Sequence, residues 1–254
     1  MTTSNFNQLS DRRARQWLMR ASQWALQGPP PIDFQMHTRW TDGNASVRQM
    51  MDAASVAGLK AIAITEHYNA TSDWYPDFVA EVKELRTAVG LPEAYYGVEV
   101  AVIDYHGGLK ADVARLDTEL VLGVVHRYPK EAGGFWDFKD LSAADAIELE
   151  IRALTALAAN PRIDVIGHPG GAAYRKFGAF PIHLLEPVFR AARDNGVAVE
   201  VNTKYLWDIH GLFELLDRLD PLLSFGSDAH SLEDVGSNLA IYKAKKTKIK
   251  GCLK

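Results

Sequence analysis

The chain has a single cysteine, Cys252, among 254 residues, which excludes an intramolecular disulfide framework and any metal cluster built on thiolates. A bound metal must therefore rest on histidine, aspartate and glutamate. No stretch approaches the roughly 20 consecutive apolar residues that a bilayer crossing takes, so no membrane association is expected. Neither sign of charge dominates: 28 Lys and Arg against 32 Asp and Glu leave a formal net charge of -4. That balance argues against a nonspecific nucleic-acid binder. Only the tail AIYKAKKTKIK is locally basic. Low-complexity blocks and internal repeats are also missing. The opening MTTSNFNQLSDRRARQWLMR carries charge where a secretory leader needs an apolar core, so a cytoplasmic protein is expected.

What is present is a rhythm. Ala14, Trp17, Leu18, Ala21, Trp24 and Ala25 at helical spacing predict an amphipathic helix within 8–27, ended by GPPP at 28–31. Seven short apolar runs follow: IDFQMH (32–37), AIAITEH (61–67), AYYGVEVAV (94–102), ELVLGVVH (119–126), IDVIGH (163–168), GVAVEVN (196–202) and PLLSFGSDAH (221–230). Helical patterns separate them, clearest over 47–59, 74–90, 142–160 and 183–196, with Gly90 and Gly196 as stops. Runs without strict alternation, joined by helices, predict parallel strands covered on the outside, and about 250 residues suits one α/β barrel. The expected organisation is a helix and linker over 1–31, a barrel over 32–240 and a basic tail over 241–254. A polar, aromatic, glycine-containing insertion at 127–141 has the character of a loop over a site.

Six of the seven strands deliver a metal-capable side chain at or near the C-terminal end: His37, His67, Glu99, His126, His168, and the pair Asp228 and His230. In a barrel of parallel strands those ends share one face, so distant positions converge on one mouth. The remaining strand offers Glu200 and Asn202, candidates for orienting a ligand or water from behind. Glu99 carries the most weight, because a carboxylate inside an apolar strand is costly to bury without a cation or donors. Imidazole together with carboxylate suits zinc, manganese or iron better than calcium or magnesium. A bridging glutamate would hold two such ions close together and make a water between them a hydroxide near neutral pH.

The motifs FQMHTRWTDG, AITEH, GVEV, GVVH, IGHPGG and FGSDAH, in this order over about 32–235, resemble those of the PHP (polymerase and histidinol phosphatase) family. The resemblance implies a distorted (β/α)7 TIM-like barrel, here with an added N-terminal helix. It also implies two or three divalent metal ions that hydrolyse phosphate esters. Carried over by position, His37, His67, His126, His168 and His230 become metal ligands, Glu99 the bridging carboxylate, and Asp228 the aspartate of a DxH pair. Asp42, in TDG, matches an acidic position of the opening motif and is expected to support or bind the third ion. Two residues depart from the pattern: Gln35 replaces a histidine and Glu66 an aspartate. Glutamine offers a carbonyl oxygen that binds a transition metal more weakly than imidazole.

Phosphate recognition calls for cations near the mouth, and Arg39, Arg127, Arg175, Lys176 and Lys204 all follow predicted strand ends. Arg127, next to His126, is the first choice, with a catalytic role beside Glu99 and Asp228. Trp40, Tyr128 and Trp136 are candidates for lining a substrate pocket. His106, His183 and His210 lie away from the motifs. The expected function is metal-dependent hydrolysis of small phosphate monoesters, histidinol phosphate among them, by a metal-bridging hydroxide. Nucleic acid would enter only as a substrate, in a nuclease or nucleotide phosphodiesterase. A barrel hydrolase of amide or lactone bonds would often use a carboxylated lysine, and no lysine ends an apolar strand in the relevant place. A non-catalytic metal-binding module is the third alternative, with Gln35 as its mark.

Overall fold

All seven apolar runs form parallel strands in the computed structural model, which describes residues 12–205 and 208–239. The tail over 241–254 and the start of the expected N-terminal helix lie outside the described residues. Where that helix is described, it is broken. A 3-10 turn over Arg13–Trp17 leads into a short strand β1 (Met19–Arg20), and only Ala21–Gln27 is α-helical (α1). Tertiary contacts override the helical spacing: Arg12 and Arg15 reach Asp164 at 2.6 and 2.8 Å, and β1 pairs antiparallel with Leu222 and Leu223.

The parallel strands are β2 (Ile32–Asp33), β3 (Ala61–His67), β4 (Glu93–Ala101), β5 (Leu120–Val124), β6 (Val165–Ile166), β7 (Ala198–Asn202) and β8 (Leu222–Gly226), side by side in sequence order. The sheet curls until its first and last parallel strands meet. The Phe34 N–H donates to the Phe225 carbonyl and the His37 N–H to the Ala229 carbonyl, both at 2.8 Å. The edge of β8 is thus divided, with β1 on its lower half and residues 34–37 on its upper half. The result is the expected seven-stranded distorted barrel, with two staves, β2 and β6, reduced to two residues.

Helices cover the outside because their apolar faces match the sheet. Over α2 (Val47–Val56), Val47, Met50, Met51 and Ala54 are buried at i, i+3, i+4 and i+7, and a reciprocal cap between Ser46 and Gln49 starts the helix. Ser142 and Asp145 start α4 (Ala143–Ala158) in the same way. The helices α3 (Tyr75–Leu85) and α6 (Glu186–Asn195) fall within the expected spans, and Gly196 ends α6 with φ 68°. Two further helices, α5 (Gly171–Phe177) and α7 (Ile209–Leu219), complete the cover. Among the described residues no helix is long and apolar enough to cross a membrane.

Candidate metal centre

His67 on β3 and Glu99 on β4 stand opposite each other in parallel register, so their side chains rise together from the barrel floor. Glu99 Oε1 lies 3.2 Å from His67 Nδ1 and 2.8 Å from His126 Nε2, while Oε2 lies 3.4 Å from His37 Nε2. The same His37 nitrogen is 3.3 Å from Asp228 Oδ1. Asp42 reaches over from the TDG turn to within 3.3 Å of His67 Nε2 and 3.4 Å of His230 Nε2. Glycine is required in that turn, since a Cβ at Gly43 would collide with the His37 carbonyl.

These contacts resolve into three overlapping sets, each with ligand atoms within 4.8 Å of one another: His37, Asp42, His67 and His230; His67, Glu99 and His126; and His37, Glu99 and Asp228. Both ring nitrogens of His37, together with Glu99 Oε1, are buried and lack a hydrogen-bond partner. Their atoms converge on shared space instead of pairing. Unpartnered polar atoms are costly to bury, and a mixed nitrogen and oxygen set of this kind fits divalent transition metals. The chain's own residues therefore suit such ions. His168 stands slightly apart, with Nε2 4.0 Å from Glu99 Oε1 and its ring stacked on His126.

Electrostatics follow from this crowding. Burial would raise the Glu99 pKa, but His126, His37 and His67 beside it hold it well below the usual carboxylate range. Asp228 is likewise brought down to about 2 against its burial, by His37 and His168. Burial opposes a charge on His37, yet Asp228 and Glu99 outweigh it and push the imidazole up to about 10. His168, with burial dominant, is lowered. Protons and metal ions thus compete for the same donors.

Several buried residues hold the ligands from behind. Asp33 accepts hydrogen bonds from the Ser227 N–H (2.9 Å), the Ser227 hydroxyl (2.6 Å) and the Gly236 N–H (2.9 Å), clamping the segment that carries Asp228 and His230. Glu200 accepts from the His168 N–H at 2.7 Å. Those two anchors matter because His168 (φ 28°) and Asp228 (φ 54°) both occupy left-handed backbone conformations, which are strained for non-glycine residues. Glu66 accepts from the Thr38 N–H and hydroxyl at 2.9 and 2.5 Å and from the Thr41 hydroxyl, bracing the loop before Asp42. Gln35 stands beside the ligands with its amide committed. Its Nε2 donates to Glu99 Oε2 at 2.5 Å, and its Oε1 accepts from Asn202 at 3.0 Å. In this orientation the carbonyl oxygen faces Asn202, not the space shared by His37 and Asp228.

A cavity of about 320 Å³ opens above the cluster, lined by Asp42, Glu99, Asp228 and four of the histidines. Of the sequence-predicted cations, Arg175 and Lys176 line it. Arg39 and Arg127 do not: Arg39 turns back to the Asn44 carbonyl, and Arg127 has its guanidinium 6.0 Å from the Phe135 ring centre. The chain bends at His126 and Arg127, and of the two only His126 lines the cavity. Lys204 donates to the Asp228 carbonyl at 2.9 Å. The predicted aromatic wall is also revised. Tyr128 is buried against Glu150, Trp40 stacks on Trp74 and Trp136 lies beside Lys130, whereas Phe138 of the 127–141 insertion lines the cavity. Lys110 and Tyr205 also line it and carried no motif; the Tyr205 hydroxyl donates to Asp228 Oδ2 at 3.2 Å.

Comparison with known proteins agrees with this geometry. The PHP domain family matches residues 33–204. The chain belongs to that family. A probable phosphatase of Acetivibrio thermocellus is 28% identical over 231 residues, covering 84% of each chain. The DNA polymerase/3'-5' exonuclease PolX of Bacillus subtilis is 22% identical over 182 residues, 67% of this chain but 28% of that one. Among solved structures, histidinol phosphate phosphatase from Lactococcus lactis, complexed with zinc, L-histidinol and phosphate, superposes with a TM-score of 0.63 at 18% identity. It covers 84% of this chain and 92% of its own. At that identity the likeness concerns the PHP fold. Within it, the matched span begins at the clamping Asp33 and ends at Lys204, so Asp228 and His230 lie beyond it.

Proposed function

We propose that this PHP protein is a metal-dependent phosphatase of small phosphate monoesters, with residues 32–240 as the catalytic unit. One observation carries the reading: Glu99 belongs to two donor sets at once, on the floor of a cavity of about 320 Å³ whose rim carries Lys110, Arg175 and Lys176. The donor atoms of His37, His67, Glu99, His126, Asp42, Asp228 and His230 would hold two or three ions, of zinc, manganese or iron. When bound, these would polarise a phosphoryl oxygen and activate water near neutral pH. Arg175 then places the phosphoryl group, since it lines the same recess as Tyr205 and Asp228. Glu99 and Asp228 stay ionised throughout, since both carboxyls are held below the usual range.

The cavity volume favours a small molecule over a polynucleotide chain, although the resemblance to the Bacillus subtilis exonuclease keeps a nuclease as the second reading. The test compares an aryl phosphate, an aryl phosphodiester and an aryl carboxylate ester, each with manganese or zinc. Fastest turnover of the monoester is expected. Preference for the diester favours the nuclease, cleavage of the carboxylate ester alone favours a carbonyl hydrolase, and no turnover leaves a metal-binding module.

A further inference from the structure

The cations of the cavity are not compensated by the protein. Lys110, Arg175 and Lys176 line it, and none of the three makes an ion pair among the described residues. Nearby basic groups do pair, with Lys139 on Asp137 at 3.0 Å and Arg152 on Glu131 at 2.6 Å. The lining carboxylates are also spoken for. Asp42, Glu99 and Asp228 each approach a histidine of the donor sets to within 3.4 Å. Beyond the metal cluster, the lining therefore combines cations with the apolar groups Phe138, Ala101 and Val125 and the neutral polar groups Tyr68, Asn69 and Tyr205.

The cations also divide by position. Arg175 shares with Tyr205, Asp228 and His230 the lining of an adjoining recess, and the Tyr205 hydroxyl donates to Asp228 Oδ2, so Arg175 belongs to the end beside the metal donors. Lys176 instead stands over Phe138, with Nζ 5.3 Å from the ring centre. Lys110 is brought in by the turn after β4, where the Lys110 N–H donates to the Ala101 carbonyl at 2.9 Å. Lys110 and Lys176 thus line the main cavity but not the recess that Arg175 shares with Asp228.

We propose that the cavity takes phosphate monoesters whose far end carries a second anionic group, a carboxylate or a further phosphate, held by Lys110 and Lys176. This rests on the phosphatase reading above. An ammonium at the far end would meet two like charges and no available carboxylate, and a neutral end would gain no ion pair from the two lysines, which otherwise face water. The apolar wall covers the carbon skeleton between the two anions.

Calorimetric binding to the metal-loaded protein of 3-phosphoglycerate, glycerol 3-phosphate and phosphoethanolamine, each as the phosphonate analogue that resists hydrolysis, tests this, because the three share a phosphate-like end and differ in charge at the other. The expected affinities fall in that order, with 3-phosphoglycerate ahead of glycerol 3-phosphate by on the order of tenfold. That lead shrinks to within about twofold in the Lys110→Met, Lys176→Met double variant, and it narrows with added salt. A bisphosphate analogue run alongside separates a preference for carboxylate from one for phosphate. Equal affinities, preference for phosphoethanolamine, or an undiminished lead in the double variant would overturn the proposal. Turnover of the parent phosphates is scored separately: no hydrolysis of any of them strikes the phosphatase reading, while the order of affinities still decides the second anion.

Discussion

Gln35 donates from Nε2 to Glu99 Oε2 at 2.5 Å while its Oε1 accepts from Asn202 at 3.0 Å. A neutral amide thus occupies the position where the PHP pattern has a histidine, and it still touches the carboxylate shared between donor sets. Replacing it has two opposed effects. In Gln35→His, imidazole adds a better transition-metal donor and metal affinity rises about tenfold. The Asn202 amide loses one of its two acceptors and keeps Glu200, so the metal-free protein is destabilised by about 1 kcal/mol. Metal titration and urea denaturation after chelator treatment read the two effects; unchanged affinity would place residue 35 outside the coordination shell.

Glu99→Gln replaces the shared carboxylate with a group that cannot bridge two cations. Bound metal falls, and activity drops by more than about 100-fold, while the circular dichroism spectrum stays that of the folded barrel. Full metal content in the variant would remove Glu99 from the centre.

Metal binding displaces protons. With the His37 imidazole pushed up to about 10 in the metal-free protein, His37 is charged at pH 7 and must lose its proton to coordinate. Calorimetry in buffers of different ionisation enthalpy should show about one proton released from this residue per protein, and affinity should climb as pH rises towards 10. Binding that releases no proton at pH 7 would contradict it.

Glu150 gives a stability signature of the opposite kind. Burial raises its pKa from 4.5 to about 7, against hydrogen bonds from the Ala173 and Ala172 N–H groups and the Tyr128 hydroxyl. The folded state therefore holds a proton that the unfolded chain has released, and stability is lost as pH rises from about 4.5 to 7. The loss amounts to about 3 kcal/mol at most. Chemical denaturation across that window should show the slope in the wild type and a flatter one in Glu150→Gln.

Arg175 and Arg127 separate by kinetics. Arg175→Ala raises the KM for aryl phosphate about tenfold with metal content unchanged, whereas Arg127→Ala stays within about twofold of wild type. The reverse ranking would return Arg127 to the site.

The seven staves were legible because buried parallel strands need runs of apolar residues, and the ligands were legible because each ends such a run. Glu99 stood out as a charge in an apolar strand, and Asp33, in IDFQMH, carried the same signal for a structural clamp. Lys110 could not be read, since GGLKAD has no strand pattern and only the turn that sets Val102 against Leu109 carries it to the mouth. β1 was hidden for a related reason. Met19 and Arg20 keep helical spacing with their neighbours, and only the bare lower edge of β8 makes them extended. The helix α7 has a clear apolar face, with Leu212, Leu215, Leu216 and Leu219 buried, and its periodicity was the readable signal that went unused.

The divided edge of β8 means that the barrel is fastened by contacts between the two ends of the chain, Met19 with Leu223 below and Phe34 with Phe225 above. Such distant pairings carry the largest loop-closure cost. The His37 and Asp228 donors face each other across that same seam. An ion held by both would therefore act as a rivet across that joint, and the protein's resistance to unfolding should then depend on free metal concentration.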